Sequence, residues 1–300
     1  MPMRMIRRVV GSIAVALLAG TTGTLAQDSE HEGPPVLEVT ARDYEFQTTT
    51  TEIPAGWTTV ALENRGGETH MLSFARLPDE GSYRRLMHFR GVLDTLQARL
   101  EEGAIDSATF VEAARSEVPP WYSDIENGSG PGLVTPGRTA RTTVRLEPGT
   151  YVMGCFLPDS AGTLHYARGM RSKMTVTEAS SGASPPEADV ELTLAGYEMS
   201  MDGRMSVGEQ TVAVHFGERE KAGEAPYQDI RLARLEEGVE VSDLVQWDDT
   251  PPAPAELLGG AHPLPAGETA YFTVNLEPGR YAWFSYSSDE KGMTETFSVP

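Results

Sequence analysis

Cysteine and positive charge are scarce in this 300-residue chain, which has one cysteine, Cys155, and 24 lysines and arginines against 44 aspartates and glutamates. The formal net charge of -20 makes nucleic acid and anionic lipid poor partners, because both are repelled by an acidic surface. A lone cysteine has no internal disulfide partner. Cys155 is therefore expected to be either a buried small hydrophobe or a metal ligand.

Long apolar runs are also rare, and the clearest one is Val9 to Gly20, which follows Arg7-Arg8 and precedes the small residues that end at Ala26. This pattern predicts a signal peptide over residues 1–26. The run is too short for a permanent anchor, and no later segment is apolar enough to cross a membrane. We expect a periplasmic or secreted protein with no membrane span after cleavage, and the paired arginines leave twin-arginine export open.

One long segment of the chain occurs twice. Pro136–Tyr151 is matched by Ala266–Tyr281, an offset of 130 residues, and strand-like segments separated by Gly and Pro dominate both halves. The sequence therefore predicts an all-β protein made of two Greek-key β-sandwiches in tandem. We place these at residues 36–178 and 188–300, joined by the linker 179–187, which is rich in Ser, Ala and Pro.

A helical insertion is predicted in the first half, at about residues 82–118. Its apolar side chains recur at spacings of three and four, at Leu86, Phe89, Leu93, Leu96 and Leu100. A second helix is predicted to follow, with Ser107 capping residues 108–117. The apolar stripe is expected to pack on the sandwich, and a lid or docking surface is the alternative.

Four side chains of the first half form a set with metal-binding chemistry: His70, Cys155, His165 and Met170. One thiolate, two imidazoles and a thioether are the donors of a trigonal copper site with a long axial bond. These donors suit both Cu(I) and Cu(II), so little rearrangement accompanies electron transfer. The set therefore indicates a single copper site used in one-electron transfer.

The segments around these residues resemble those of the cupredoxins, the blue copper proteins. The resemblance lies in Asn64–Phe74, in Cys155-Phe-Leu-Pro158 and in His165-Tyr-Ala-Arg-Gly169-Met170. It implies cupredoxin-like sandwiches and a type 1 copper held by His70, Cys155, His165 and Met170. Nine residues separate Cys155 from His165, a longer loop than in small electron carriers.

That long loop is closer in form to the loop of copper nitrite reductases, which also contain two cupredoxin domains. Those enzymes have a histidine immediately before the cysteine, which links the electron-transfer copper to a catalytic one. Here that residue is Gly154. The resemblance therefore implies an electron carrier rather than an oxidase or a nitrite reductase.

The second half is predicted to have lost the metal ligands, because the repeat alignment places Gln228, Ser285, Ser288 and Met293 at the four positions. A methionine that persists without the other ligands suggests a packing role for Met170 as well. The remaining histidines are expected to be surface or packing residues, and they are His31, His88, His215 and His262.

The functional prediction is an exported type 1 copper protein of one-electron transfer. A metal-free cupredoxin-like binding or scaffold module is the alternative from a different class, and a Cu(I) carrier is the third. The sequence indicates neither a particular redox partner protein nor an oligomeric state.

Overall fold

The structure is a computed structural model that describes residues 33–196, 198–218, 229–285 and 293–300. The predicted signal peptide, His31, Gln228 and Ser288 lie outside these residues. The described residues belong to one compact unit. Among the helices that they form, none has both the length and the hydrophobicity that a membrane crossing requires.

The first half is built from short, mostly antiparallel strands, as the alternating sequence predicts. They are β1 (Val36–Arg42), β2 (Glu45–Thr48), β3 (Glu52–Asn64), β4 (Ser73–Arg76), β5 (Glu126–Asn127), β6 (Thr139–Leu146), β7 (Gly149–Gly154) and β8 (Arg171–Ser180). The long strand β3 belongs to both layers of the sandwich, since its start pairs with β8 and its remainder pairs with β1 and β6. The prediction of an all-β sandwich fold is confirmed.

The second half repeats the pairings of β1 with β2 and β3 and those of β7 with β4 and β8. Its strands are β9 (Val190–Ala195), β10 (Glu198–Asp202), β11 (Gly208–Phe216), β12 (Ile230–Leu235), β13 (Glu256–Ala261), β14 (Thr269–Leu276), β15 (Gly279–Phe284) and β16 (Thr294–Val299). In the first half, β1 pairs antiparallel with β2 and parallel with β3. In the second half, β9 likewise pairs antiparallel with β10 and parallel with β11. As β7 lies between β4 and β8, so β15 lies between β12 and β16. The sequence repeat is thus also a repeat of topology.

The two halves meet through equivalent strands. β6 pairs antiparallel with β14, with Thr142 opposite Phe272, so one sheet continues from the first half into the second. Buried side chains from both halves, Leu62 and Trp283 among them, belong to one apolar cluster. Burial in a shared core stabilises both halves through the removal of apolar surface from water.

The helical insertion lies between β4 and β5 and consists of α1 (Ser82–Glu101) and α2 (Ser107–Glu117). Leu86 and Phe89 of α1 are buried in a cluster with Val152 of β7 and Tyr166, so the apolar stripe packs on the sandwich as expected. The predicted cap of α2 is wrong. Asp106 is the N-cap, because its side chain accepts a hydrogen bond from the Thr109 amide.

Two further short helices lie within the described residues, α3 (His165–Arg168) in the loop after β7 and α4 (Val241–Val245) in the second half. A 3-10 helix, Pro120–Asp124, leads from the insertion toward β5. Both α3 and the loop between β3 and β4 carry residues of the predicted metal set.

Candidate metal centre

Cys155 follows the last residue of β7 and is completely buried, at 0% exposure. Its amide donates a hydrogen bond to the Met170 carbonyl at 3.2 Å, which ties the two ends of the loop 155–170 together. Burial raises the pKa of the Cys155 thiol to about 12. Without a cation beside it the sulfur is therefore a neutral thiol at physiological pH.

His70 comes from the loop between β3 and β4, and its ring is also fully buried. Its amide and carbonyl form a backbone bridge with Val134 at 3.1 and 2.8 Å. The Asn64 side chain organises the loop, because its Nδ2 donates to the carbonyls of Glu68 and Val134 and its Oδ1 accepts from the Gly66 amide. Asn64 thus fixes the course of the chain that presents His70.

The long loop after Cys155 folds back on itself to return His165 to the cysteine. Asp159 holds the bend, because its Oδ1 accepts from the amides of Ala161 and Thr163 and its Oδ2 pairs with Arg168 at 2.7 Å. The His165 amide donates to the Leu157 carbonyl at 2.8 Å and starts α3. The nine intervening residues therefore do not move His165 away from the site.

Three donor atoms of these residues converge. The Cys155 Sγ lies 3.4 Å from Nδ1 of His165 and 4.0 Å from Nδ1 of His70, and the two Nδ1 atoms are 3.2 Å apart. Within the part of the chain that the structure describes, this is the one cluster of three or more such side chains able to hold a metal. The predicted thiolate and imidazole ligands are therefore brought together.

Each imidazole is anchored at its other nitrogen by a carboxylate. Nε2 of His70 lies 2.7 Å from Oδ1 of Asp43, and Nε2 of His165 lies 2.8 Å from Oε2 of Glu68. Burial alone raises the pKa of Asp43, but hydrogen bonds from the Gly67 amide and from His70 outweigh it and hold that pKa below its ordinary value. Asp43 is thus an anion, and an anion can only accept from Nε2–H.

This arrangement fits a cation better than it fits an empty cluster. When Nε2 carries the proton, Nδ1 carries a lone pair, so the Nδ1 atoms of His70 and His165 present lone pairs to each other at 3.2 Å. The single S–H of Cys155 can donate to only one of them. Burial lowers the pKa of His70 to about 4, against the opposing effect of Asp43, so its ring stays neutral. A soft cation bound among these donors removes the repulsion between the lone pairs.

The fourth predicted ligand, Met170, is characterised by its burial and its backbone hydrogen bonds. It is fully buried, and its amide donates to the His165 carbonyl at 2.9 Å. In the second half Met293 is 8% exposed and its carbonyl accepts from the Ser285 amide at 3.0 Å, as the Met170 carbonyl accepts from Cys155. The methionine backbone therefore has the same structural role in both halves, and axial ligation by Met170 remains a prediction.

At the position of Cys155, the second half has Ser285 in an ion-pair network. The Ser285 hydroxyl contacts Oδ1 of Asp229 at 3.3 Å, and Arg231 pairs with Asp229 and Asp249 at 2.5 and 2.7 Å. The guanidinium is buried, and the two carboxylates compensate its charge. A hard, charged network thus fills the place where the first half has soft donors.

Gly154, the residue before Cys155, is covered by a pair of aromatic rings. The rings of Phe156 and Tyr166 stack with centroids 5.0 Å apart. A Cβ on Gly154 would lie 2.7 Å from Tyr166 Cδ2 and 3.1 Å from Phe156 Cζ. A side chain at this position, histidine included, would therefore displace one of these rings.

The other described histidines lie away from the cluster. His88 is exposed on α1, and Nε2 of His215 on β11 pairs with Glu191. His262 is a buried residue whose Nε2 has no hydrogen-bond partner, and burial lowers its pKa to about 4. His88 and His215 are thus at least partly exposed, and His262 is buried.

Asp43 and Glu68 are the site residues that sequence reasoning missed. Glu68 stands two residues before His70, which is a usable signal. Asp43 lies in the turn between β1 and β2 and carries no signal of its own, because only the pairing of β1 with β3 brings it to the histidine.

No protein-family model and no curated protein matches this chain. Among solved structures, it is similar to auracyanin B, with 22% identity over 49% of this chain and 91% of the other and a TM-score of 0.29. It is also similar to auracyanin A, a "blue" copper protein from Chloroflexus aurantiacus, with 20% identity over 48% and 99% and a TM-score of 0.28. Copper nitrite reductase from Nitrosomonas europaea matches with 13% identity over 89% and 93% and a TM-score of 0.23.

Proposed function

We propose that this chain is an exported copper protein with one type 1 site in its first half, and that it serves one-electron transfer. The observation that carries the proposal is the buried convergence of the Cys155 sulfur with the Nδ1 atoms of His70 and His165, at 3.2 to 4.0 Å from one another. Copper bound among these donors would supply a centre that exchanges single electrons.

In this function the polypeptide holds the three donor side chains in fixed positions. The three donor side chains are at most 1% exposed, and each is fixed by backbone hydrogen bonds as well as by the contacts of its side chain. Fixed donors suit a carrier, because little reorganisation is then needed when the charge at the site changes by one. Exclusion of water from the site also removes competing ligands.

The proposal assigns the second half a structural or partner-binding role. It shares a sheet and a core with the first half, and Ser285 stands where a soft ligand would be needed. The signal peptide predicted at residues 1–26 and the acidic composition support the proposal of action outside the cytoplasm on a partner that is not a nucleic acid. A metal-free binding module and a Cu(I) carrier are the alternatives that the experiment must separate.

The experiment is titration of the purified protein with Cu(II) and then with Cu(I), followed by visible absorption. The unmodified protein is expected to take up one Cu(II) and to develop an intense sulfur-to-copper band. Cys155→Ser should abolish the band, while Ser285→Ala, at the equivalent position of the second half, should keep it. Circular dichroism checks that both variants fold.

Three other outcomes would contradict the proposal, each in a different way. Absence of copper uptake favours the metal-free module. Uptake of Cu(I) without any blue form favours the carrier. Copper uptake that Cys155→Ser leaves unchanged places the metal elsewhere on the chain.

A further inference from the structure

The two imidazoles of the candidate site are anchored by carboxylates from different segments. Asp43 comes from the turn after β1, Glu68 from the loop before β4, and their distances to Nε2 of His70 and His165 are 2.7 and 2.8 Å. The rings are 0% and 1% exposed, whereas the side chains of Asp43 and Glu68 are 34% and 22% exposed. Each carboxylate thus lies between a buried ligand ring and solvent.

The loop before His70 is shaped to admit Asp43. The Gly67 amide donates to Oδ2 of Asp43 at 2.8 Å. A Cβ on Gly66 would lie 2.3 Å from Oδ1 of Asp43 and 2.6 Å from Nε2 of His70, so any side chain there would separate the two groups. Both oxygens of Asp43 are therefore acceptors, one from the backbone and one from the ring.

Glu68 is held less tightly, by a residue next to Asp43. The Tyr44 hydroxyl lies 3.4 Å from Oε1 of Glu68, and the Tyr44 ring lies 4.8 Å from the ring of His165, measured between centroids. The turn that supplies the first carboxylate therefore also orients the second one and packs on the second histidine.

We propose that Asp43 and Glu68 are positioning residues that fix both histidines as Nε2–H tautomers, so that their Nδ1 lone pairs face Cys155, and that their charges favour Cu(II) over Cu(I) at the site. The tautomer part stands on the hydrogen bonds alone, and the copper part rests on the proposed function. An anionic acceptor on the far nitrogen makes an imidazole a more basic ligand. Two nearby negative charges stabilise a divalent cation more than a monovalent one.

Replacement of the carboxylate by an amide is expected to have different effects at Asp43 and at Glu68. In Asp43→Asn, the NH₂ group must face either the Gly67 amide, which is also a donor, or Nε2 of His70. The second orientation turns Nε2 into an acceptor and moves the ring proton to Nδ1, where it blocks the metal. In Glu68→Gln, the NH₂ group can face the Tyr44 hydroxyl, which is able to accept, so His165 can keep its tautomer.

The first test uses copper-free protein and long-range ¹H–¹⁵N NMR of the histidine rings, which reports the tautomer directly. We expect His70 and His165 to be Nε2–H tautomers in the unmodified protein. Asp43→Asn should shift His70 toward Nδ1–H, while Glu68→Gln should leave His165 unchanged. An Nδ1–H tautomer of either ring in the unmodified protein, or an unshifted His70 in Asp43→Asn, would overturn the positioning role whether or not copper binds.

The second test measures Cu(II) and Cu(I) affinities and the reduction potential of copper-loaded protein. Loss of such an outer partner costs about 10–100-fold in metal affinity. In Glu68→Gln, which keeps the tautomer, we expect the loss to fall mainly on Cu(II), whereas in Asp43→Asn the displaced ring proton adds a loss that Cu(I) and Cu(II) share. Each tenfold loss confined to Cu(II) raises the potential by about 59 mV. Asp43→Asn and Glu68→Gln should both raise it.

The matched control is Glu191→Gln, because Glu191 pairs with Nε2 of His215, a histidine away from the cluster. This change should leave the affinities and the potential unchanged. If the unmodified protein has a blue site whose potential is the same in Asp43→Asn, Glu68→Gln and Glu191→Gln, the copper part of the inference is wrong although the proposed function stands. If the unmodified protein forms no blue site, the proposed function fails and the tautomer test still decides the positioning role.

Discussion

The Nδ1 atoms of His70 and His165 face each other at 3.2 Å across a buried site, although the residues are 95 positions apart in the chain. The Nε2 atom of each ring is occupied by a carboxylate, so neither ring can turn without giving up a hydrogen bond to an anion. Such hydrogen bonds contribute about 1.5–3 kcal/mol each. The orientation of both rings is therefore a property of the fold and precedes any metal.

Loss of either ring is expected to weaken Cu(II) binding more than loss of its outer carboxylate does. His70→Ala and His165→Ala each remove a donor atom and open the site to water, so we expect affinity to fall by more than about 100-fold. Competition titration with a chelator of known affinity measures this. His215→Ala is the control, because that ring lies on β11 and is paired with Glu191. Equal losses in all three variants would mean that copper binds elsewhere.

Gly154 is predicted to tolerate no side chain. Gly154→Ala would bring a methyl group to 2.7 Å from Tyr166 Cδ2, and overpacking of this kind costs about 1–3 kcal/mol. Urea unfolding of the copper-free protein measures the change. The control is Gly91→Ala on α1, where an added Cβ meets nothing within 4 Å and is expected to stabilise by about 0.5–1 kcal/mol. A neutral Gly154→Ala would show that the aromatic pair yields easily.

The sequence predicted the parts of this site that are encoded locally. His70, Cys155 and His165 sit in short motifs with recognisable neighbours, and the internal repeat showed that the fold does not require them, since Ser285 replaces Cys155. The apolar stripe of α1 was equally readable, because Leu86 and Phe89 recur at helical spacing.

What the sequence did not predict depends on contacts between distant segments. Asp43 reaches His70 only because β1 lies parallel to β3 and because Gly66 leaves room. The pairing of β6 with β14 could not be foreseen either, since a repeat shows that two segments are alike and not how they meet. For α2, Asp106 and Ser107 are both good capping residues, and only the hydrogen bond to Thr109 distinguishes them.

Acid is expected to destabilise the copper-free protein before its carboxylates titrate. Burial lowers the pKa values of His70 and His262 to about 4 in the folded state, whereas an unfolded histidine titrates near its ordinary value of about 6.5. Between these values the unfolded chain binds more protons, so the free energy of unfolding falls as pH falls, by up to about 1.4 kcal/mol per pH unit for each histidine. Urea unfolding between pH 7 and 5 measures the slope.

The variant His262→Gln shows how much of this pH dependence comes from His262. Its ring is not part of the metal cluster, and its Nε2 has no partner to lose, so His262→Gln removes one titrating group without touching the candidate ligands. We expect the variant to lose about half of the pH dependence, whatever its stability at pH 7. A slope that is identical in the two proteins would mean that His262 takes up its proton in the folded state as easily as in the unfolded chain.

The last prediction concerns the type of reaction. Reduction of nitrite or dioxygen requires a second metal with open coordination positions, and among the described residues the group of His70, Cys155 and His165 is the one cluster able to hold a metal. The residue before Cys155 is a glycine covered by Phe156 and Tyr166, which leaves no room for a histidine that would connect the site to another metal. We therefore expect copper-loaded protein to be reduced and reoxidised by external partners in a one-to-one ratio, with no sustained turnover.

A steady-state assay with a reduced dye, run with nitrite and then with oxygen, measures this, and Cys155→Ser serves as the control for copper bound elsewhere. Sustained consumption of either substrate that disappears in Cys155→Ser would show that electrons from this site reach a second catalytic metal, and the electron-carrier proposal would then be wrong.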